Sequence, residues 1–259
     1  MNDKLQAQAG SFPATRWSAI VAARSGDRAE RERALDALLA AYWRPVYKYI
    51  RLGWGKSVED AQDLTQEFFS RLLEKDLLRA YDPERGRLRT FLRACVDHQV
   101  ANAQRNARRK KRGGGALDAS LDFPSAEREL GRLDLSKPPE MEAFFEREWA
   151  RSIFRAGVER LRAELAAQNK SVYFQIFEQY DLQDAEEGGP DRRPRYRELA
   201  DELGLTPAQV TNYLAHARRE FRRVVLDFLR GTTSTEQEFR REARALLGTD
   251  PAPGKGGRP

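Results

Sequence analysis

One short segment of the chain gathers carboxylates at helical spacing. Residues 58–73 read VEDAQDLTQEFFSRLL, and at about 100° per residue Asp60, Asp63 and Glu67 fall on one side of the helix, within reach of Glu59. We call these four side chains the acidic ridge. The opposite side is apolar and consists of Ala61, Leu64, Phe68 and Leu72. Carboxylates in this pattern suit contact with a basic protein surface, although a solvated helix face explains them equally well.

A second segment has the composition of a phosphate-binding helix. Residues 88–112 read LRTFLRACVDHQVANAQRNARRKKR and end with six basic residues among the last eight. Such an end binds phosphate in a salt-dependent way without reading sequence, so any choice of base must come from polar side chains such as His98 and Asn102. Cys95 lies in the apolar stripe of this helix, and no histidine or acid is spaced to activate it. We therefore interpret it as a core residue.

A third segment predicts two short helices around a glycine. Residues 196–223 read YRELADELGLTPAQVTNYLAHARREFRR. Gly204 allows the left-handed turn that ends a helix, and Thr206 before Pro207 is typical of a helix start. The buried stripe of the second helix is Val210, Leu214 and Ala217. The polar side chains left to contact bases or phosphates are Gln209, Thr211, Asn212, Tyr213, His216 and Arg218. We interpret the pair as a helix-turn-helix, with an ordinary helical hairpin as the alternative.

The charges of the chain are segregated along the sequence. The net charge of +6 is the difference between 46 basic and 40 acidic residues. Residues 56–84 carry eight acidic and four basic residues, and residues 85–112 carry ten basic residues against one acidic residue, Asp97. Residues 113–148 are again acidic, with nine acids and four bases. Basic blocks favour a polyanion such as nucleic acid, and a merely solvated surface is the plainer alternative.

The composition predicts an all-α protein of two small helical domains joined by a flexible acidic linker. Helix-forming residues dominate, and no segment alternates apolar with polar residues. At 40% hydrophobic and 33% charged residues, one large core is not expected. The predicted order is a first domain at 1–112, a linker at 113–140, a second domain with the helix-turn-helix at 141–230, and a partly disordered C-terminal extension at 231–259.

Several classes of function are excluded by what the sequence lacks. A single cysteine rules out an internal disulfide and a cysteine-rich zinc site, and two histidines argue against a metal enzyme. No run approaches the roughly 18 apolar residues of a membrane span. The start, MNDKLQAQAGSFPATRW, has no apolar stretch of the signal-peptide kind. We expect a cytoplasmic protein that is not an enzyme and uses no cofactor or metal.

The three segments, in this order, resemble the extracytoplasmic-function sigma factors, the smallest members of the sigma-70 family. Their acidic motif, commonly DAEDLVQEVF, is similar to DAQDLTQEFF at residues 60–69. Their next motif, roughly DPxxGxxRxWL, is similar to DPERGRLRTFL at residues 82–92. The basic end and the helix-turn-helix follow at the expected distances. The likeness covers residues 42–112 and 141–230.

This resemblance implies that the chain binds promoter DNA and the core of bacterial RNA polymerase, meaning its β′ and β subunits. The residues implied to dock on the β′ clamp helices are Asp60, Asp63, Gln66 and Glu67. Those implied to bind and melt the minus-ten element are His98, Asn102, Arg105, Arg108 and Arg109. Those implied to read the minus-35 element are Thr206, Gln209, Thr211, Asn212, Tyr213, His216 and Arg218. The linker is implied to run through the polymerase cleft.

The sequence departs from the family pattern at several positions. Gln62 replaces a frequent carboxylate, His98 a frequent asparagine and Asn102 a frequent aspartate, so the promoter sequence does not carry over. The connection at 181–195 is longer than usual and suggests a regulatory contact. Control is expected from an anti-sigma protein or a Ser/Thr kinase. Thr65 is the candidate phosphorylation site, although it projects to about 140°, away from the acidic ridge.

Two other classes of protein compete with this interpretation. A stand-alone helix-turn-helix regulator would use its first block for dimerisation, and it would bind duplex DNA tightly without polymerase. A nuclease would need a cluster of metal-binding carboxylates near the basic helix, which the sequence does not provide.

Overall fold

The computed structural model describes residues 28–74, 77–107, 121–133, 139–182, 196–233 and 235–248. Within these ranges the regular structure is helical, with nine α-helices and no strand, which confirms the all-α prediction. None of the described helices is long and apolar enough to cross a membrane. The α-helices are α1 (Arg28–Gly53), α2 (Val58–Glu74), α3 (Leu88–Ala107), α4 (Phe123–Gly131), α5 (Met141–Ala167), α6 (Ser171–Phe177), α7 (Tyr196–Leu203), α8 (Pro207–Gly231) and α9 (Glu236–Leu247). A 3-10 turn at Leu77–Ala80 and a π turn at Glu178–Leu182 complete the regular structure of these ranges.

The larger hydrophobic core draws on both predicted domains. Helices α1 to α3 contribute most of it, and the first half of α5 packs along α1. The end of α8 and one face of α9 close the same core. Its buried side chains include Tyr42, Tyr47, Phe68, Leu92, Phe123, Phe145, Trp149, Ile153, Val225, Leu229 and Phe239. A domain boundary at residue 141 therefore differs from the structure, because residues on both sides of it share one interior.

The smaller core lies under the predicted helix-turn-helix. It is formed by the second half of α5, by α6 and α7, and by the first half of α8. Helices α5 and α8, with 27 and 25 residues, thus pass through both cores. Gly157 lets them approach closely, since a Cβ there would lie 3.1 Å from the Phe221 ring and 3.2 Å from Val225 Cγ2. Two continuous helices therefore join the cores.

The prediction of a flexible linker at 113–140 is wrong for residues 121–133, which contain α4. Asp122 caps this helix by accepting a hydrogen bond from the Ser125 backbone N–H at 3.0 Å. Phe123 is buried against Trp43 and Tyr47, with ring centroids 5.6 and 4.9 Å apart. The acidic composition of the segment matches basic side chains on α1. A helix of nine residues is too short to show the periodicity on which the prediction depended.

Buried ion pairs join α1, α4 and α5. The Lys48 ammonium lies 2.5 Å from a Glu148 carboxylate oxygen and 2.6 Å from one of Glu129. Lys48 and Glu148 are each only 2% exposed. Glu129 also pairs with Arg44 and Arg155. Burial opposes ionisation of Glu129, but the hydrogen bond from Lys48 and the nearby arginines outweigh it and lower the pKa of this carboxyl.

The C-terminal extension, predicted to be partly disordered, forms helix α9 within residues 235–248. Thr235 caps α9, and Gly248, at φ 69°, ends it in the left-handed conformation. Phe239 is 2% exposed, and the Tyr81 hydroxyl donates to Glu238 at 2.7 Å. Helix α9 is therefore part of the larger core. The last ten residues, 250–259, lie outside the described residues.

The first prediction concerns the Lys48–Glu148 pair. Replacing Lys48→Met should lower the free energy of unfolding by about 3–5 kcal/mol, because the buried Glu148 carboxylate loses its buried partner and keeps only the largely exposed Arg151. Urea unfolding measures this. The control is Arg160→Met, whose pair with Glu164 lies at the surface, with 41% of the arginine exposed, and which should cost about 0–1 kcal/mol. Equal small losses would contradict a structural role for the buried pair.

Candidate functional site

The acidic ridge lies on the outer side of α2. Glu59, Asp60 and Asp63 are exposed, and Glu67 is half-buried, 3.9 Å from Arg71. The Ser57 hydroxyl accepts a hydrogen bond from the Asp60 backbone N–H at 3.1 Å at the start of the helix. On the other side of α2, the predicted apolar side chains are all buried: Ala61, Leu64, Phe68 and Leu72. The ridge is thus held by a packed helix and presents negative charge outward.

Gln62 and Gln66 flank this surface. Both side chains are half-buried. Gln66 is thus partly accessible, and its place beside Asp63 and Glu67 in a binding surface stays a prediction. An amide can add a directional hydrogen bond to the charge of its neighbours.

Thr65 is fully buried, with 0% of its surface exposed. Its hydroxyl donates to the Ala61 carbonyl at 2.7 Å, within the same helix. A kinase needs an exposed hydroxyl, so phosphorylation of Thr65 would require α2 to leave the core. The folded chain does not present this residue as a phosphorylation site.

The candidate DNA-binding face of α3 is exposed in its described part. His98 and Arg105 are exposed, and the Asn102 amide lies 3.1 Å from His98 Nε2. Arg105 Nε donates to the Ala101 carbonyl at 3.3 Å. The structure brings these three polar side chains onto one side of the helix. Arg108 and Arg109 lie outside the described residues.

Polar contacts of Gln99 and Asp97 position α3. Gln99 is 5% exposed, and its amide donates to the Leu64 carbonyl of α2 at 3.1 Å. Asp97 accepts hydrogen bonds from the Tyr49 hydroxyl at 2.8 Å and from Trp54 Nε1 at 2.9 Å. Burial and the contact with Asp97 raise the pKa of Tyr49 to about 12. Residue spacing does not assign Asp97 this role, although a lone acid among ten bases is a signal for a structural contact.

The turn between α7 and α8 has the predicted geometry. Gly204 adopts φ +65°, and the Leu205 N–H donates to the Ala200 carbonyl at 2.8 Å. Thr206 and Gln209 form a reciprocal cap, in which Gln209 Oε1 accepts from the Thr206 N–H at 2.8 Å and the Gln209 N–H donates to the Thr206 hydroxyl at 3.2 Å. In this structure the Gln209 side chain therefore caps the N-terminus of α8. It would have to break this cap in order to contact a base.

The remaining candidates on α8 have different surroundings. Asn212 and Thr211 are exposed, and the Thr211 hydroxyl donates to the Pro207 carbonyl at 2.9 Å. Tyr213 stacks on Tyr173 of α6 at 4.0 Å between ring centroids. Asn212 is thus the candidate that combines exposure with an amide able to read a base edge.

His216 and Arg218 are occupied by contacts within the protein. The His216 ring meets Tyr173 edge-on at 5.1 Å, and its Nε2 is buried with no hydrogen-bond partner among the described residues. Arg218 donates two hydrogen bonds to Asp181, at 2.8 and 2.6 Å. This pair ties α8 to the start of the 181–195 connection, whose residues 183–195 lie outside the described residues. Residue spacing predicts both side chains as candidates for DNA contact, and it does not reveal these partners.

The Cys95 thiol and the His, Cys, Asp and Glu side chains are the groups that could support catalysis or bind a metal. Burial raises the pKa of the half-buried Cys95 thiol, which makes a thiolate there unfavourable. In the part of the chain that the structure describes, no three His, Cys, Asp or Glu side chains are grouped to hold a metal ion.

Comparison with protein families identifies one region of the chain. Residues 38–110 match the family model described as Sigma-70 region 2. The matched segment includes most of α1 and all of α2 and α3, and so contains both the acidic ridge and the exposed side of α3. Neither the curated proteins nor the solved structures contain a match to this chain.

The second prediction tests the burial of Thr65. Replacing Thr65→Glu should lower the free energy of unfolding by about 3 kcal/mol or more, because it places a charged group in the core. Replacing the half-buried Gln62→Glu on the same helix adds the same charge and should cost less than about 0.5 kcal/mol. Thermal or urea unfolding of both variants compares the sites. A stable Thr65→Glu protein would show that the side chain can reach solvent.

Proposed function

Since the chain carries a sigma-70 region 2 domain and so belongs to the sigma-70 family of sigma factors, we propose that it directs promoter recognition as a member of the extracytoplasmic-function group. Factors of this family bind core RNA polymerase and promoter DNA in transcription initiation, and they are not enzymes. We further propose that separate surfaces of the chain bind polymerase and DNA, and that a second DNA-binding element lies outside residues 38–110.

The observation that carries the proposal is the exposed acidic ridge on a helix whose other side is core. Asp60 and Asp63 point outward from α2, while Leu64 and Phe68 are 9% and 1% exposed. Opposite charge steers association and suppresses wrong partners. We propose that Asp60, Asp63, Gln66 and Glu67 bind the clamp helices of the β′ subunit.

The exposed side of α3 is proposed to bind the minus-ten element. His98, Asn102 and Arg105 lie along this side, and the basic run that includes Arg108 and Arg109 follows it in the sequence. Lys and Arg side chains supply phosphate contacts, and the polar side chains supply contacts to bases. Gln99 and Asp97 support this role by fixing how α3 lies against α2 and α1.

Helices α7 and α8 are proposed to bind the minus-35 element. The turn at Gly204 and the cap at Thr206 support this interpretation, and Asn212 is exposed near the start of α8. Tyr213, His216 and Arg218 are proposed to support the helix through their contacts with Tyr173 and Asp181. The proposed path of the 113–140 segment through the polymerase cleft would require α4 to leave α1.

The third prediction tests the acidic ridge. Replacing Asp63→Arg should weaken binding to core polymerase about 100-fold, because it places like charges in contact. Asp36→Arg, at an exposed position on α1, is the control and should bind normally. Fluorescence anisotropy with labelled protein measures both affinities, and circular dichroism checks that both fold. Normal binding by Asp63→Arg would refute the proposed surface, and tight duplex binding without polymerase would favour a stand-alone regulator.

The fourth prediction tests base reading by α8. Replacing Asn212→Ala should weaken binding of the holoenzyme to its promoter by about 1–3 kcal/mol if the amide makes a bidentate contact to a base. The loss should disappear on DNA whose minus-35 element is already altered. Gln175→Ala, an exposed amide on α6, should have no effect. An equal loss on every sequence would show that Asn212 contacts the DNA backbone.

A further inference from the structure

Helix α9 separates its charges between two faces. Its sequence, EQEFRREARALL, carries three glutamates and three arginines and is neutral by composition. Glu238 and Glu242 are 4% and 2% exposed and face the larger core, whereas Arg240, Arg241 and Arg244 are exposed. The outward face therefore keeps the three arginines with one glutamate, Glu236. The fold produces a basic surface that a count of charges does not reveal.

The buried carboxylates hold α9 against the region 2 domain. A Glu242 oxygen forms a short hydrogen bond with Arg89 Nη1, and Arg87 Nε lies 3.4 Å from the other oxygen. Arg241 Nε lies 3.8 Å from that same oxygen. The buried Glu242 carboxylate thus contacts guanidinium groups from α9 and from the start of α3. These contacts hold the guanidinium groups close together.

An open groove of about 650 Å³ runs along this junction. It is lined by Arg87, Glu236, Gln237, Arg240, Arg241, Arg244 and Ala245. Glu236, its one acidic lining residue, pairs with Arg240 at 2.9 Å, at a position where both side chains are more than half exposed. Exposed pairs of this kind are weak, so the arginine can exchange its partner for another anion.

We propose that this groove binds phosphates of the DNA backbone, so that α9 extends the DNA-binding surface of the region 2 domain. The inference rests on the proposed function, which brings promoter DNA to α3, and Arg87 directly precedes α3. Guanidinium groups bind phosphate oxygens in pairs of parallel hydrogen bonds. A groove open to solvent suits a continuous polyanion better than a small enclosed ligand. The contact is independent of sequence, because its donors meet phosphates and not bases.

The experiment removes the charge of the three arginines of α9 that line the groove. It keeps the Arg89–Glu242 and Tyr81–Glu238 contacts, and only the 3.8 Å contact of Arg241 with Glu242 is lost. In the full chain, Arg240, Arg241 and Arg244 are changed together to Gln, and promoter binding by the holoenzyme is measured from 50 to 300 mM salt. For each arginine that contacts a phosphate, the slope of log K against log salt should fall by about 1. The loss of affinity should be the same on a promoter with an altered minus-ten element. Affinity for core polymerase should not change.

A matched variant controls for total charge. Changing Arg128, Arg132 and Arg162 to Gln removes the same charge from exposed positions on or next to α4 and on α5, and the slope should stay as in the wild type. An unchanged slope for the α9 variant, or an equal fall for the control, overturns the proposal. So does a loss that depends on promoter sequence.

Two further measurements distinguish failure of the groove proposal from failure of the proposed function, and DNA from a small anion as the ligand. If the wild-type chain does not bind core polymerase, the proposed function fails; the groove is then tested with the chain alone on duplex DNA of random sequence, where the two variants should still differ. Inorganic phosphate should not raise the melting temperature of the chain above that in chloride at equal ionic strength. A rise that the α9 variant lacks would assign the groove to a small anion and overturn its assignment to DNA.

Discussion

The packing of α5 along α1 is the contact on which the rest of the structure depends. It buries Phe145 and Trp149 against the first block and encloses the Lys48–Glu148 pair. Removing one partner from such a pair costs far more than breaking a surface pair, because the remaining charge is left in a medium of low polarity. The second half of α5 then enters the smaller core. One helix thus sets how the proposed polymerase-binding and minus-35 elements lie relative to each other in this structure.

Acidic side chains serve two physical purposes in this protein. Glu148, Glu238 and Glu242 are buried opposite cations or a hydroxyl and hold helices together. Asp60 and Asp63 are exposed on α2 and remain available to a partner. Carboxylates paired within the fold also explain why α4 and α9 are ordered. Each inserts apolar side chains into the larger core and places carboxylates next to arginine, lysine or tyrosine of the region 2 domain.

Local pattern predicted the helices of the region 2 domain well. The segments read as helical from residue 58 and from residue 88 correspond to α2 and α3, which begin at Val58 and Leu88. The turn at Gly204 and the cap at Thr206 were also predictable, since each depends on residues within one or two helical turns. The order of α4 and α9 was missed because α4 is short and because both helices are polar overall. The sequence of neither helix reveals how much of its surface is buried, because that burial depends on the distant helices that pack against it.

The sequence by itself determined the all-α class, the acidic ridge, the side of α3 that stays exposed and the turn before α8. These features follow from residue spacing along a helix, which is a local property. Only the tertiary structure decided which charges are buried and which are presented. Lys48 meets Glu148 across 100 residues of sequence, and Arg89 meets Glu242 across 153. Whether a carboxylate faces solvent or a guanidinium depends on which distant helix packs beside it, and spacing along one helix carries no such information.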